Sequence, residues 1–541
     1  VPPPTKRRRF RKPKRRGGEQ GIPAGTHLGP DDLTHLCRTV SLAVTPRAED
    51  GDTKLNRIVV YDWFTGYGCP PRAGNAIIAL IDGEAAWGAT ARDIEAASDE
   101  LCVTRWSIDP DIELVRPAEL AKEDPAVRQR YRFASYVEAL ASRGGRSTVL
   151  VWNWVGTPLL NPTLRRWAIE AGDNVEVLQR AHPRFTGSFH QKTVVIDRRV
   201  AYCGGLNLRQ NDWDTQAHAI DDARRHPHDA SSSDRHKPLP AFGPRHDMAV
   251  RIEGPLVRDL HDNFRNHWNS ALDAQLKRHA RPFGRAVARM RGMGPTGPGH
   301  AMTSPPEPRG QVVAQLVRTD PDRHPKEQAI YDMLLRAIHN ANKLIYIENQ
   351  YFRSEPILHA LVNSLRKHRQ LELVVVTNKV DPPWRLAHGG AFYTEQMPRE
   401  IRSLRPHFRL YELLSCSGEN EALSYQPIDV HAKVMIVDDV WATVGSANLN
   451  ERSIRSEAEA NVAIDDWKFA SKLRRDLMAE HLGLERTDPR LVPTNEVAAL
   501  WRNLAQDNAV ARQQKRRATG HAHPFEQKPS LRLLRGRSSW F

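Results

Sequence analysis

The chain has 541 residues, 40% of them apolar, and a formal charge of +15; that is enough apolar material for a buried core and too much length for a disulfide-dependent mini-protein. Its longest apolar stretches, such as Ala76–Ile81 and Val374–Val376, fall short of the ~18 residues that a membrane-spanning helix needs. The charge sits at the two ends, with nine Lys/Arg against Glu19 in residues 1–20 and eight against Glu526 in residues 511–541, so that residues 21–510 are formally neutral and composition demands no basic groove for nucleic acid.

Residues 1–20 read as a basic disordered tail, and no apolar stretch follows their arginines as a secretory signal requires. Residues 21–280 read as a first α/β half. A helical pattern at Ala91–Leu101 leads into an apolar strand at Val103–Ile108, then a second helix at Phe133–Arg143 and a second strand at Thr148–Trp154, before a strand that begins at His190. Residues 222–240, rich in Asp, His, Ser, Arg and Pro, read as a solvated excursion whose histidines lack the regular spacing of a metal motif. Residues 281–310, with their Gly and Pro run, read as a linker.

Residues 311–490 repeat the order: helix Ala329–Ala341, strand Leu344–Glu348, helix Glu355–Lys367, strand Leu371–Thr377, and a strand that begins at His431. Residues 491–541 form a basic C-terminal extension, its end read as solvated. Helices alternating with strands predict parallel pairing and two α/β/α sandwich halves with mixed, largely parallel sheets and an active site at their interface. Five cysteines (Cys37, Cys69, Cys102, Cys203 and Cys416) form no CxxC pair, and ordinary reduced thiols are expected rather than a disulfide framework or zinc cluster.

Duplication extends to the chemistry. The first copy reads His190-Gln191-Lys192, four more residues, Asp197, and then Gly204-Gly205-Leu206-Asn207; the second reads His431-Ala432-Lys433, four more residues, Asp438, and then Gly445-Ser446-Ala447-Asn448. On a strand, residues two apart face one way, so each His and Lys should project together. Asp197 and Asp438 have the opposite parity, which suits holding a strand end or a neighbouring loop. Each copy presents a nucleophile or acid, a cation and a neutral donor. Facing each other, two copies supply what phosphoryl transfer requires without a metal: one His to attack, one to protonate the leaving oxygen, and Lys and Asn to stabilise equatorial charge.

These paired motifs resemble those of the phospholipase D superfamily. The stretches Ile345-Tyr346-Ile347-Glu348-Asn349-Gln350-Tyr351-Phe352, Asn211-Asp212-Trp213-Asp214-Thr215 and His246-Asp247-Met248 resemble its true phospholipase D branch. The resemblance spans roughly residues 70–485. It implies that His190 is the nucleophile and His431 the general acid, later the base that activates water. The histidines are oriented in this family by downstream carboxylates; the matching positions are Asp247 for His190 and Glu459 for His431, with Glu457 as the fallback. Asp197 and Asp438 complete the catalytic set, and Gly205 and Ser446 are read as substrate-binding.

The leading expectation is hydrolysis of the distal phosphodiester of a phosphatidylcholine-like glycerophospholipid to phosphatidic acid and a free alcohol, with transfer to an acceptor alcohol as a side reaction. A cardiolipin synthase-type phosphatidyltransferase is the alternative, followed by a nuclease or other phosphodiesterase of the same superfamily. No cofactor or metal, no specific nucleic acid and a monomeric chain are expected; the partner is a phospholipid surface, to which the basic tails would be drawn. The reading is of a soluble chain, with peripheral membrane association or export by a non-classical route both left open. The aromatic pairs Trp152/Trp154 and Tyr351/Phe352 are either core or pocket wall.

Overall fold

Apolar runs and amphipathic helices alternate twice in one order, and the chain folds accordingly. The computed structural model describes residues 63–118, 125–153, 162–182, 187–225, 243–279, 301–323, 326–378 and 408–525, with the short paired strands Val40–Ala43 and Leu55–Ile58. The tail 1–20, most of the excursion 222–240 and most of the linker 281–310 lie outside the described residues.

The first half contributes β1 (Arg72–Ile81), α1 (Asp82–Glu95), β2 (Glu100–Arg105), α2 (Phe133–Ser142), β3 (Arg146–Asn153), β4 (Val175–Ala181), β5 (Thr193–Ile196), β6 (Val200–Gly204), β7 (Met248–Glu253) and α3 (Leu256–His279). Its sheet runs β4-β3-β2-β5-β6-β7-β1, with the first three strands parallel and the rest antiparallel. The second half supplies β8 (Val312–Asp320), α4 (Ala329–Asn340), β9 (Leu344–Asn349), α5 (Glu355–Lys367), β10 (Glu372–Thr377), β11 (Phe408–Ser417), β12 (Lys433–Val437), β13 (Trp441–Gly445), β14 (Glu459–Asp465) and α6 (Trp467–Leu482). Its order, β11-β10-β9-β12-β13-β14-β8, is the same with the same directions. Edge strands β1 and β8 pair antiparallel, joining the sheets.

Helix faces follow from spacing. In α4 the buried residues Ile330, Met333, Leu334, Ala337 and Ile338 fall at i, i+3, i+4, i+7 and i+8, the stripe a core-facing helix needs. The α5 helix follows Ser354 and has Pro356 in its first turn, where a missing N–H costs nothing. Between the two sheets lies a shared apolar layer that includes Phe264, Trp268, Tyr346, Leu477, Met478 and Trp501, while each half has its own outer layer beneath α1/α2 or α4/α5. Side chains of Leu or Phe size each contribute ~1.5–3 kcal/mol when fully buried, so the shared layer makes the two halves one folding unit.

Two expectations shift. The pattern Ala91–Leu101 is the end of α1 plus a loop, since the helix begins at Asp82 and stops at Glu95. The Asp197 carboxylate takes the backbone amides of Ser98, Asp99 and Glu100, which ends the turn and starts β2 early. The C-terminal extension is also not all solvated. Residues 497–513 form α7 (Val497–Gln513), with Trp501 buried, and β15 (Ala522–Pro524) pairs with β11. Asn508 Nδ2 donates to the carbonyls of Thr519 and Ala522, so the basic segment around residue 515 is stapled to the body. The four described cysteines, Cys69, Cys102, Cys203 and Cys416, are free thiols.

Candidate active site

Each motif histidine precedes its strand rather than sitting within it: β5 begins at Thr193 and β12 at Lys433. Extended lead-ins carry them across to the other half. Phe189 bridges Ala458 in parallel, and the His190 amide donates to the Ala458 carbonyl at 2.8 Å. In the mirror position Asp429–Val430 pairs in parallel with Arg245–His246, and the His431 amide donates to the His246 carbonyl at 2.7 Å. The residue after each accepting carbonyl is a carboxylate, Glu459 or Asp247. His190 Nδ1 therefore lies 3.0 Å from Glu459 Oε1 and 3.1 Å from Oε2, and His431 Nδ1 lies 2.7 Å from Asp247 Oδ2.

This corrects the expected pairing. Asp247 orients His431 and Glu459 orients His190, because the motif strand of one half pairs with the carboxylate-bearing strand of the other. Such a contact fixes the tautomer, with Nδ1–H donated and Nε2 left to react. His190 is 12% exposed and His431 6%, so both imidazoles are largely shielded from solvent.

Lys192 Nζ donates to the His190 carbonyl at 2.8 Å and Lys433 Nζ to that of His431 at 2.5 Å; both lysines are buried, as are Asn207 and Asn448. The carboxamide oxygen of each asparagine has no hydrogen-bond partner among the described residues. Burial pushes Lys192 down to about 7, with Lys433 adding to the shift and Glu459 opposing it. Burial likewise brings Lys433 down to about 8 against the pull of Asp247. Burial, with Lys192, holds His190 below the ordinary imidazole range despite Glu459; burial, Arg245 and both lysines hold His431 well below it.

The two carboxylates differ. Burial pushes Asp247 up to about 7 even beside Lys433 and Arg245, whereas Glu459, which burial would raise, is held below its usual range by His190, Lys192 and the Ser446 hydroxyl. Ser446 Oγ donates to Glu459 Oε2 at 2.5 Å. At the equivalent position a Cβ on Gly205 would come within 2.1 Å of Asp247 Oδ1, so no side chain fits there. Gly205 and Ser446, expected to meet substrate, instead stand behind the carboxylates.

Asp197 and Asp438 lie at the far ends of β5 and β12, away from the histidines. Each occupies a left-handed position in a tight turn, with φ of 49° and 54°, a conformation that Asp tolerates. Asp438 accepts from the amides of Asn342, Lys343 and Leu344 as Asp197 does from those of residues 98–100. Their place is structural, as their parity indicated, and not in the catalytic set. Glu457, the fallback carboxylate, binds Ser188, Arg452 and Ser453 and braces the lead-in to His190.

The sequence reading missed several neighbours. Trp106 meets the His190 ring edge-on at 6.4 Å between centroids, stacks on Trp152 at 5.3 Å and carries Arg209 over its face. Trp152 thus belongs to the pocket wall, Trp154 lies outside the described residues, and Phe352 is core. Asp212, inside a stretch already singled out, accepts from the Asn207 amide and is held by Arg245; the second contact was invisible because Arg245 lies far beyond Asp212 in sequence, across the excursion at 222–240. Also unforeseen is a buried cluster of Asp82, His218, His246, Glu348, Glu480 and His481 behind Asp247.

Comparison with known proteins gives matches to two families. A family described as "Phospholipase D" matches residues 168–285, and one described as "Cardiolipin synthase, PLD-like domain" matches residues 334–480. "Phospholipase D A" of Dictyostelium discoideum is 25% identical over 489 residues, covering 77% of this chain and 36% of that protein. "Cardiolipin synthase B" of Shigella flexneri is 26% identical over 424 residues, covering 76% of this chain and 81% of that protein. The chain spans about a third of the length of the first of these relatives. A solved phosphatidylserine synthase of Haemophilus influenzae aligns over 81% of this chain and 94% of its own, with a TM-score of 0.49 and 14% identity.

Proposed function

The chain belongs to the phospholipase D superfamily, and from that premise we propose that it cleaves the distal phosphodiester of glycerophospholipids through a covalent phosphohistidine. The observation that carries this reading is the crossed arrangement of His190–Glu459 and His431–Asp247 around Lys192 and Lys433. His190 Nε2 attacks phosphorus as the P–O bond to the headgroup breaks, and a proton on His431 Nε2 passes to the departing oxygen. The ammonium groups of Lys192 and Lys433 stabilise the equatorial charge. Water then gives a proton to His431 as its oxygen bonds to phosphorus, the P–N bond breaks and His190 leaves neutral.

The two histidines differ in what backs them. Glu459 stays ionised and suits the imidazolium that develops on a nucleophile. Asp247, held up to about 7, gives the second pair access to a proton near neutrality, which an anionic phosphodiester would draw onto His431. His190 is thus the nucleophile and His431 the acid and base.

An acceptor alcohol in place of water gives transphosphatidylation. The second-half match to a cardiolipin synthase-type domain favours phosphatidylglycerol as acceptor as the second reading. Incubation with phosphatidylcholine, phosphatidylethanolamine and phosphatidylglycerol, each with and without ethanol, tests both. Phosphatidic acid and phosphatidylethanol are expected; cardiolipin from phosphatidylglycerol alone would establish the transferase, and no product from any lipid would overturn the lipid assignment.

A further inference from the structure

Behind Asp247, and apart from the reacting groups, four ionisable side chains converge in the protein interior. Asp82 stands at the start of α1, His218 follows β6 in a loop, His246 immediately precedes Asp247, and Glu480 comes from α6 of the other half. None of these side chains is more than 3% exposed. One donor atom from each lies within 4.8 Å of all the others.

The contacts have the dimensions of a coordination shell. His246 Nδ1 is 3.0 Å from Asp82 Oδ1 and 3.0 Å from Glu480 Oε1; His218 Nε2 is 3.2 Å from Glu480 Oε1 and 3.6 Å from Asp82 Oδ2. A tetrahedron with metal–ligand bonds of ~2.0–2.1 Å has edges of about 3.3 Å. The outward nitrogens are held as metal-bound imidazoles are: His218 Nδ1 meets Asp214 Oδ2 at 2.9 Å, and His246 Nε2 meets Glu348 Oε2 at 2.9 Å, carboxylates that fix the tautomer and turn the other nitrogen inward.

Independent of spacing, part of the cluster is left unsatisfied, although His218 Nε2 and Glu480 Oε1 meet in hydrogen-bond geometry at 3.2 Å. Asp82 Oδ2, Glu480 Oε2 and His246 Nδ1 are buried with no hydrogen-bond partner among the described residues. His246 Nδ1 stands equally near an oxygen of each of two carboxylates, 3.0 Å from Asp82 Oδ1 and 3.0 Å from Glu480 Oε1. Lone pairs directed at a common centre fit that arrangement.

We propose that Asp82, His218, His246 and Glu480 form a closed structural site for one divalent transition-metal cation, with zinc the best match to two imidazoles and two carboxylates. Three ligands come from the first half and one from the second, so the cation clips the halves together. It also sits behind the catalytic pair, since Asp82 Oδ1 accepts from the Asp247 amide at 3.1 Å and the His246 carbonyl accepts from His431. The metal takes no part in the phosphoryl-transfer steps and acts as a positioning element.

The test uses the full chain, loaded with Zn2+ or Co2+, passed through a weak chelator and analysed for metal by mass spectrometry. One tightly held ion per chain is expected, with the visible absorption of tetrahedral cobalt in the Co2+ form. Glu348→Gln should weaken Zn2+ affinity about 10–100-fold, Asp82→Asn and Glu480→Gln should abolish stoichiometric retention, and His190→Ala should retain the ion. Folded wild-type protein that retains no ion overturns the proposal. So does an ion unmoved by Asp82→Asn and Glu480→Gln, which would place it elsewhere. If those variants fail to fold, X-ray absorption on the wild-type zinc form decides: two imidazoles and two oxygens support the site, and any other shell sinks it.

Discussion

Asp247 and His431 come from opposite halves of the duplicated chain and meet at 2.7 Å, carboxylate oxygen to ring Nδ1. Their contact, and its counterpart between Glu459 and His190, means that neither half by itself holds a complete histidine–carboxylate pair.

The crossed pairing predicts which step each carboxylate serves. Asp247→Asn should slow cleavage of choline or ethanolamine esters about 10²–10⁴-fold, the usual contribution of a positioned acid, and should slow a p-nitrophenyl ester of phosphatidic acid much less, since that leaving group needs no proton. Glu459→Gln should slow both. Equal losses with both substrates in Asp247→Asn would return Asp247 to the nucleophile.

Phosphoenzyme trapping locates the covalent bond. With an activated substrate, His431→Ala should still acquire acid-labile phosphatidyl label and His190→Ala should not. Label on His431 in the His190→Ala protein would reverse the roles.

The buried lysines set an alkaline limit. Lys192 and Lys433, held down to about 7 and about 8, lose their charge as pH rises through those values, so kcat/KM should fall above about pH 8. Stability responds with the opposite sign. The unfolded lysine value is ~10.4, so from pH 7 upward the unfolded chain binds more protons and this source adds stability. Asp247, raised to about 7, contributes stability at low pH that is lost as pH rises toward neutrality. A pH–rate profile beside a pH–melting series separates the two; activity and melting temperature falling together above pH 8 would contradict the assignment.

Gly205 and Ser446 should respond unequally. Ser446→Gly removes a hydroxyl from Glu459, a hydrogen bond to a charged group worth ~1.5–3 kcal/mol, and should cost about tenfold or more in kcat. Gly205→Ala drives a Cβ into Asp247; overpacking of this kind costs ~1–3 kcal/mol, and the His431-dependent step should suffer most. Wild-type kinetics in Gly205→Ala would show that Asp247 has room to move.

Truncation should separate the tail from the body. Removal of residues 1–20 and 526–541 should leave turnover of a soluble short-chain phosphodiester unchanged and weaken binding to anionic vesicles at low salt, by up to about 1 kcal/mol per basic residue near the surface. Cutting back to residue 510 removes β15 and the Asn508 contacts and should cost on the order of 2–4 kcal/mol of stability. Equal melting temperatures for the two truncations would show that β15 adds nothing.

Local periodicity made the duplication legible. Apolar spacing gave α4, α5 and their strands almost to the residue, and the two motif spacings identified both histidines, lysines and asparagines, because strand and helix patterns depend on neighbours in sequence. Even the secondary place of Asp197 and Asp438 followed from their parity. Which carboxylate faces which histidine depends instead on strands 184 and 269 residues from their partners pairing across the interface, and no local pattern encodes that crossing. The same holds for the convergence of Asp82, His218, His246 and Glu480, and for the docking of β15 on β11: each is fixed by where the shared apolar layer brings the two sheets together, a global packing outcome that only the tertiary structure decides.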